Sequence, residues 1–298
     1  MTESERLRVA VLGAGLMGSA IAAEYAAAGH AVRITTSQAT SATVALARVT
    51  QHLGAAGASG AEPALGAAGA ADVQWFPTTA QAAAGADLVV ESLPEVAAIK
   101  AAELAAAQVA APAAILASNT SSLSLATLGA GLSDPSRLIG THYLNPPLAF
   151  RVLELVEGPT TDPAVAKRMV AILRWIGKLP VPVRDVPGFV LNRLQMALLR
   201  EAVELVDGGV VAADDLDRLI REGLGRRWSA VGPFGTVALG GPATFRRVAE
   251  QLYPELSRRQ DPPASLDRLE LDEAGVAVLR AARDRVLAGW RDADRDDP

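Results

Sequence analysis

The sequence predicts an α/β chain in which a doubly wound parallel sheet is followed by an all-helical C-terminal domain. Three observations carry this. Short apolar runs of strand length alternate with helical patterns over the first 186 residues. The first run leads directly into a glycine-rich turn and an alanine-rich helical segment. After residue 186 the strand-like runs stop and only helical periodicity continues. The expected domains are therefore 1–186 and 187–298.

The elements follow in order. LRVAVL, residues 7–12, is a strand that opens into GAGLMG, Gly13 to Gly18, and then SAIAAEYAAAGH, a helix ending at Gly29 as a natural C-cap. AVRITT is the second strand. The low-complexity stretch 54–72 reads as a loop or a poorly specified helical excursion. QWF is a short strand, and AQAAAGADLVVES a helix followed by a strand. Glu95 and Lys100 open the next helix, which Pro112 ends near Ala110. AAILA, Ala113 to Ala117, RLIGTHYL, RVLELVEG and PVPVRDV are further strands, with the helix AVAKRMVAILRWIGK before the last. From Pro187 to Gly209 the chain is a long apolar helical run, and DDLDRLIREGLG is a second helix. GRRWSAVGPF reads as a loop, and helical pattern resumes from Thr244 to Trp290. The last eight residues, RDADRDDP, read as a frayed, charged end.

Composition narrows the classes of function. Among 298 residues half are apolar and only 4% aromatic, which favours close-packed helices over a β-sandwich. A net charge of -5 without a basic block leaves no footprint for nucleic acid or an anionic membrane surface. The absence of cysteine removes disulfides, thiolate metal sites and a cysteine nucleophile, and no metal site is expected. No signal-peptide core and no membrane-length apolar span are visible, so a cytoplasmic protein is the default expectation.

Strand, G-x-G-x-x-G, helix, strand is the context required of a dinucleotide-binding, Rossmann-type unit. Gly13 allows the tight turn, Gly15 lets the backbone approach a pyrophosphate, and Gly18 lets helix and strand pack closely, with Leu16 and Met17 between them. An acidic residue is expected to end the second strand and take the ribose hydroxyls of NAD. That position is Thr36, followed by Ser37. Neutral hydroxyls do not repel a 2′-phosphate, so the choice between NAD and NADP stays open.

The chemistry gathers between Ser118 and Glu154. A hydroxyl cluster, SNTSS, contains Asn119 and Ser121. His142 follows in THYLNPP with Asn145 three residues on, and Glu154 lies in RVLELV. Histidine titrates near neutrality, a carboxylate fixes its tautomer, and serine and asparagine orient a polar substrate: these are the parts of a proton-transfer site. Each residue also has a plainer reading, as a turn serine, a core histidine or a strand-edge carboxylate.

GAGLMG, Glu95 with Lys100, ASNTSS, GTHYLNPP, LELVEG, PGFVLNR and GPF, in this order, make the chain resemble the L-3-hydroxyacyl-CoA dehydrogenase family over nearly its whole length. The resemblance implies an NAD(P)-dependent oxidoreductase acting at C3 of a 3-hydroxyacyl thioester, of the kind used in fatty acid metabolism. It implies His142 as base, Glu154 as its partner, and Ser121 and Asn192 on the substrate. Glu95, Lys100, Ser121 and Asn145 would meet the nicotinamide half of the cofactor, and the helical domain would pair two chains. Two features point to the alternative of a free small 3-hydroxy acid, as in the family's L-gulonate 3-dehydrogenase (lambda-crystallin-like) and carnitine dehydrogenase members. Residues 54–72 hold no lysine or arginine to grip CoA phosphates, Arg48 being the nearby base. GLGRRWSAVGPF offers Arg226 or Arg227 to a free carboxylate. A protein that binds cofactor without catalysis is the third reading.

Overall fold

The computed structural model describes residues 6–36, 40–58 and 73–293. It divides into two compact units, one holding the residues up to Val190 together with those from Ala281 on, the other Leu191–Arg280.

The first unit is built on eight strands: β1 (Arg8–Leu12), β2 (Ala31–Thr35), β3 (Val73–Phe76), β4 (Leu88–Glu91), β5 (Ile115–Ser118), β6 (Leu138–Tyr143), β7 (Val152–Glu157) and β8 (Leu179–Arg184). They lie in the order β3-β2-β1-β4-β5-β6-β7-β8. The helices are α1 (Leu16–Ala27), α2 (Thr40–Ala58), α3 (Thr79–Ala83), α4 (Ala97–Ala110), α5 (Leu125–Gly129) and α6 (Pro163–Trp175). The central strands β1, β4 and β5 are almost continuous apolar runs because both of their faces are covered. Successive side chains of a strand point to opposite faces, so β1 divides its residues between two cores. Val9 and Val11 join Ile21 of α1 and Met169 of α6. Ala10 and Leu12 join Leu104 of α4 and Leu128 of α5. Chain direction across the sheet reverses at β1, which leaves a crevice beyond the C-terminal ends of β1 and β4, where open sheets of this kind bind ligands.

The expected parallel sheet is present in β1 to β6, and β7 and β8 together run the other way. β7 runs antiparallel to β6, while the other neighbouring pairs are parallel. Between Tyr143 and Val152 there is too little chain for a crossover, which takes about a dozen residues or more, so the strand turns back.

The second unit is helical: α7 (Leu191–Asp207), α8 (Ala213–Leu219) continued by a π-helical stretch (Ile220–Gly225), α9 (Arg226–Ala230), α10 (Pro233–Gly240), α11 (Pro242–Leu252) and the start of α12 (Glu273–Ala293). GRRWSAVGPF is thus not a loop. Its Gly-Pro dipeptide is a helix start, with Gly232 as N-cap and Pro233 in the first turn, where a missing N–H costs nothing. Gly241 and Pro242 repeat the device. Three smaller readings also change. Of the expected frayed end, residues 291–293 belong to α12 and 294–298 lie outside the described residues. α2 occupies a stretch for which the sequence reading assigned nothing, and it runs on to Ala58, so that residues 59–72 of the excursion lie outside the described residues, as does Ser37. Glu95 precedes the first turn of α4 and does not open it. No described helix is long and apolar enough to cross a membrane.

Candidate active site

The glycine turn positions the first half of the site. Gly13 has φ +88°, and a Cβ on it would stand 2.6 Å from the Ser92 carbonyl oxygen; one on Gly18 would stand 1.8 Å from the Gly13 carbonyl oxygen. Both positions therefore require glycine on contact grounds alone. Gly15 differs: its φ is an ordinary -72°, it is the N-cap of α1, and a Cβ there would meet nothing within 4 Å. It lines a cleft of about 1090 Å³ together with Gly13, Leu16, Met17, Thr36, Arg48, Glu95 and Asn119. That volume is just above the range for small-molecule sites, about 300–1,000 Å³. The exposed N-terminus of α1 at this cleft supplies free N–H groups and the positive end of a helix dipole. The cradle fits a dinucleotide.

Beyond the cleft the hydroxyl cluster folds around a carboxylate. Oε1 of Glu95 accepts the Thr120 hydroxyl at 2.6 Å and the backbone N–H groups of Ser121 and Ser122, both at 2.9 Å. Burial pushes the Glu95 carboxyl up, but the Thr120 hydroxyl, the Lys100 ammonium and the donors from Ser121 and Ser122 bring it down to about 2. Lys100 is no solvated helix lysine. It is 1% exposed and donates to Glu91 at 2.7 Å and to the Leu93 carbonyl at 3.0 Å, with Glu95 at 3.2 Å. Its charge is used beneath the cleft wall, and it reaches the cleft through Glu95. Asn119 ties the ends of three strands, donating to Ser92 Oγ at 3.3 Å and accepting the Tyr143 N–H at 3.0 Å.

The histidine and its carboxylate come together by register. His142 on β6 stands directly opposite Glu154 on β7, so the two side chains share one face. His142 Nδ1 lies 2.7 Å from Glu154 Oε2, and the residues are 8% and 3% exposed. The other carboxylate oxygen, Oε1, accepts the Val190 N–H at 2.8 Å. Donation from Nδ1 to Glu154 leaves Nε2 as the acceptor nitrogen of a neutral imidazole.

Three groups escaped the sequence reading. Phe189, buried, packs its ring 5.5 Å from the His142 ring, and with φ 49° it follows Gly188 at φ 75° in the left-handed region. A bulky residue there is strained by about 1–2 kcal/mol, a cost that surrounding packing must offset. The turn it forms aims the Val190 N–H at Glu154. The second is Glu91, fully buried at the end of β4, which accepts the Leu93 N–H, the Lys100 ammonium and the Ser118 hydroxyl within 2.7 Å. The third is a buried ion pair between Lys178 and Glu24. Lys178 also donates to the Pro147 and Phe150 carbonyls at 2.8 Å, which pins the loop leaving β6. Burial raises the Glu24 carboxyl, against the pull of Lys178.

Of the remaining predicted residues, one lies in the loop after β6 and three lie in the second unit. Asn145 is exposed at the start of that loop, before a cis bond to Pro146. Asn192 is half-buried in the first turn of α7, in the second unit. Arg226 and Arg227 are exposed on α9 of that unit, and Arg226 Nε lies 2.7 Å from Glu222 one turn earlier.

Comparison with known proteins gives the following. The model of the 3-hydroxyacyl-CoA dehydrogenase NAD binding domain matches residues 8–186, and that of the 3-hydroxyacyl-CoA dehydrogenase C-terminal domain residues 188–281. The 5-formyl-3-hydroxy-2-methylpyridine 4-carboxylate 5-dehydrogenase of Mesorhizobium japonicum is 34% identical over 90% of this chain and 87% of its own. L-carnitine dehydrogenase of Streptomyces griseus is 35% identical over 96% and 82%. The probable 3-hydroxybutyryl-CoA dehydrogenase of Bacillus subtilis is 30% identical over 88% and 90%. A solved structure of 5-formyl-3-hydroxy-2-methylpyridine 4-carboxylic acid 5-dehydrogenase superimposes with a TM-score of 0.88 at 30% identity, covering 96% of this chain and 98% of that one.

Proposed function

Because the chain belongs to the 3-hydroxyacyl-CoA dehydrogenase family and is an oxidoreductase, we propose that it interconverts the C3 hydroxyl and oxo groups of a small, free 3-hydroxy carboxylate, with His142 as base and acid. The observation that carries the reading is the His142–Glu154 pair at 2.7 Å, held on the strand ends of a dinucleotide domain. Bound nicotinamide supplies the hydride chemistry. Nε2 of His142 takes the hydroxyl proton in oxidation and returns it in reduction. Glu154 fixes the tautomer and stabilises the imidazolium, and the Val190 N–H keeps the carboxylate in line. Phe189 bounds one side of the imidazole and holds water away from it. Ser121 orients the substrate oxygen, and Glu95 fixes the Ser121 backbone that carries it. Asn192 supplies a further amide to the substrate.

The free acid is favoured over the thioester by two facts. Residues 54–72 lack the basic side chains a CoA phosphate would use, and relatives named for free carboxylates match over most of their length. Arg226 or Arg227 then meets the carboxylate. The thioester reading is favoured by the acyl-CoA form of the HYLNPP motif and by the Bacillus relative. The helical unit pairs two copies of the chain: Val203 is the one buried residue among its described residues, while Phe234 and Leu239 are 89% and 79% exposed. A unit without a core of its own is not stable alone.

The test compares oxidation of reduced cofactor by free 3-oxo carboxylates and by acetoacetyl-CoA. Turnover of free acids is expected, with kcat falling about 10²–10⁴-fold in His142→Gln while Tm and cofactor affinity hold. Turnover of the CoA ester alone rejects the free-acid assignment, and an unchanged kcat in His142→Gln rejects the base.

A further inference from the structure

We infer that the adenosine end of the cleft accepts a 2′-phosphate, with Arg48 as its anchor, so that the protein binds NADP(H) at least as well as NAD(H). The inference rests on reading the cleft as a dinucleotide site. In such a unit the residue ending β2 meets the adenosine ribose. A carboxylate there binds both ribose hydroxyls and repels a phosphate, whereas a nearby arginine accommodates one.

Here the position is Thr36, half-buried, whose hydroxyl accepts the Trp75 indole N–H at 3.3 Å. It carries no charge to repel a phosphate. Arg48 on α2 lines the same cleft, is exposed, and makes no ion pair among the described residues. Arg33 is committed elsewhere, donating to the Ala84 carbonyl at 2.8 Å and covering the Phe76 ring at 5.3 Å. The carboxylates lining the cleft are also engaged, Glu95 by Thr120 and Lys100, and Glu103 by the Thr79 hydroxyl. Among the described residues lining this cleft, Arg48 is thus the cation with its donors in hand, and its planar fork matches a phosphate.

The experiment is direct titration with NADPH and with NADH, read by nicotinamide fluorescence at low salt, without substrate. We expect NADPH to bind at least as tightly as NADH. Arg48→Ala should weaken NADPH about tenfold or more, the worth of one charge-assisted bond, and NADH less than about twofold. Arg48→Lys should keep part of the preference, and Thr36→Asp should reverse it. Because Arg48 is exposed, its two variants are expected to fold, and thermal transitions check this for all three variants. NADH binding about tenfold tighter than NADPH, or an Arg48→Ala effect equal on both, overturns the inference. If the wild-type protein binds neither nucleotide, the dinucleotide reading of the cleft itself falls.

Discussion

Glu95 shows how much of the site is fixed by single atoms. One of its oxygens gathers donors from three consecutive residues, 120 to 122, and the other faces Lys100. Its carboxyl is held at about 2, below the 4.5 of a free glutamate, so the folded chain releases this proton more readily than the unfolded one. The stabilisation is therefore complete above about pH 4.5 and is lost as pH falls toward about 2. Between these values the urea midpoint of the wild-type protein should fall more steeply than that of Glu95→Gln; parallel curves would show that the carboxylate contributes nothing. The residue types of the proton-transfer pair were legible in the sequence, and so was Glu95, read there as opening a helix with Lys100 and as meeting the cofactor. What supports them was not. Phe189 adopts a conformation its side chain disfavours, so no local preference announces it. Glu91 looks on paper like any strand-end acid, because its burial comes from the neighbouring strand and from a lysine nine residues on.

Among the elements, the turn before α1 separates two uses of glycine. Gly18 is needed for packing, since a methyl group would overlap the Gly13 carbonyl. Gly15 has room for one. Gly18→Ala should destabilise the protein by about 1–3 kcal/mol or more, seen as a lower Tm. Gly15→Ala should leave Tm nearly unchanged and weaken cofactor binding in a fluorescence titration. Equal Tm losses would mean that both glycines serve packing only. The central strands were legible as apolar runs, because burial on both faces leaves little that is polar to interrupt them. Strand direction was not, since a run reads the same either way; the eight residues between Tyr143 and Val152 were the available signal. Helices opening with Gly-Pro were hidden because the same dipeptide marks turns.

For the molecule as a whole, the helical unit raises the question of what covers it. A second copy of the chain is expected to. Light scattering should give twice 30.8 kDa, and unfolding midpoints should rise with protein concentration. Phe234→Asp with Leu239→Asp should produce monomers with a looser helical unit. A single-chain mass at about micromolar concentration would remove the pairing proposal, because a unit this poorly buried must be covered to persist.

The reversal between β6 and β7 has one more effect, on how freely the chain can vary in length. His142 and Glu154 are 12 residues apart, whereas Leu12 and its neighbour Glu91, which flank the crevice, are 79 apart. Bringing the first two together costs about 1.7 kcal/mol less chain entropy than the second, on a logarithmic dependence on loop length. The proton-transfer pair therefore closes within a short local hairpin and is indifferent to what happens in the crossovers. Segments between the cofactor strands can grow, shrink or be exchanged, and the acid–base chemistry travels unchanged with its own piece of sheet.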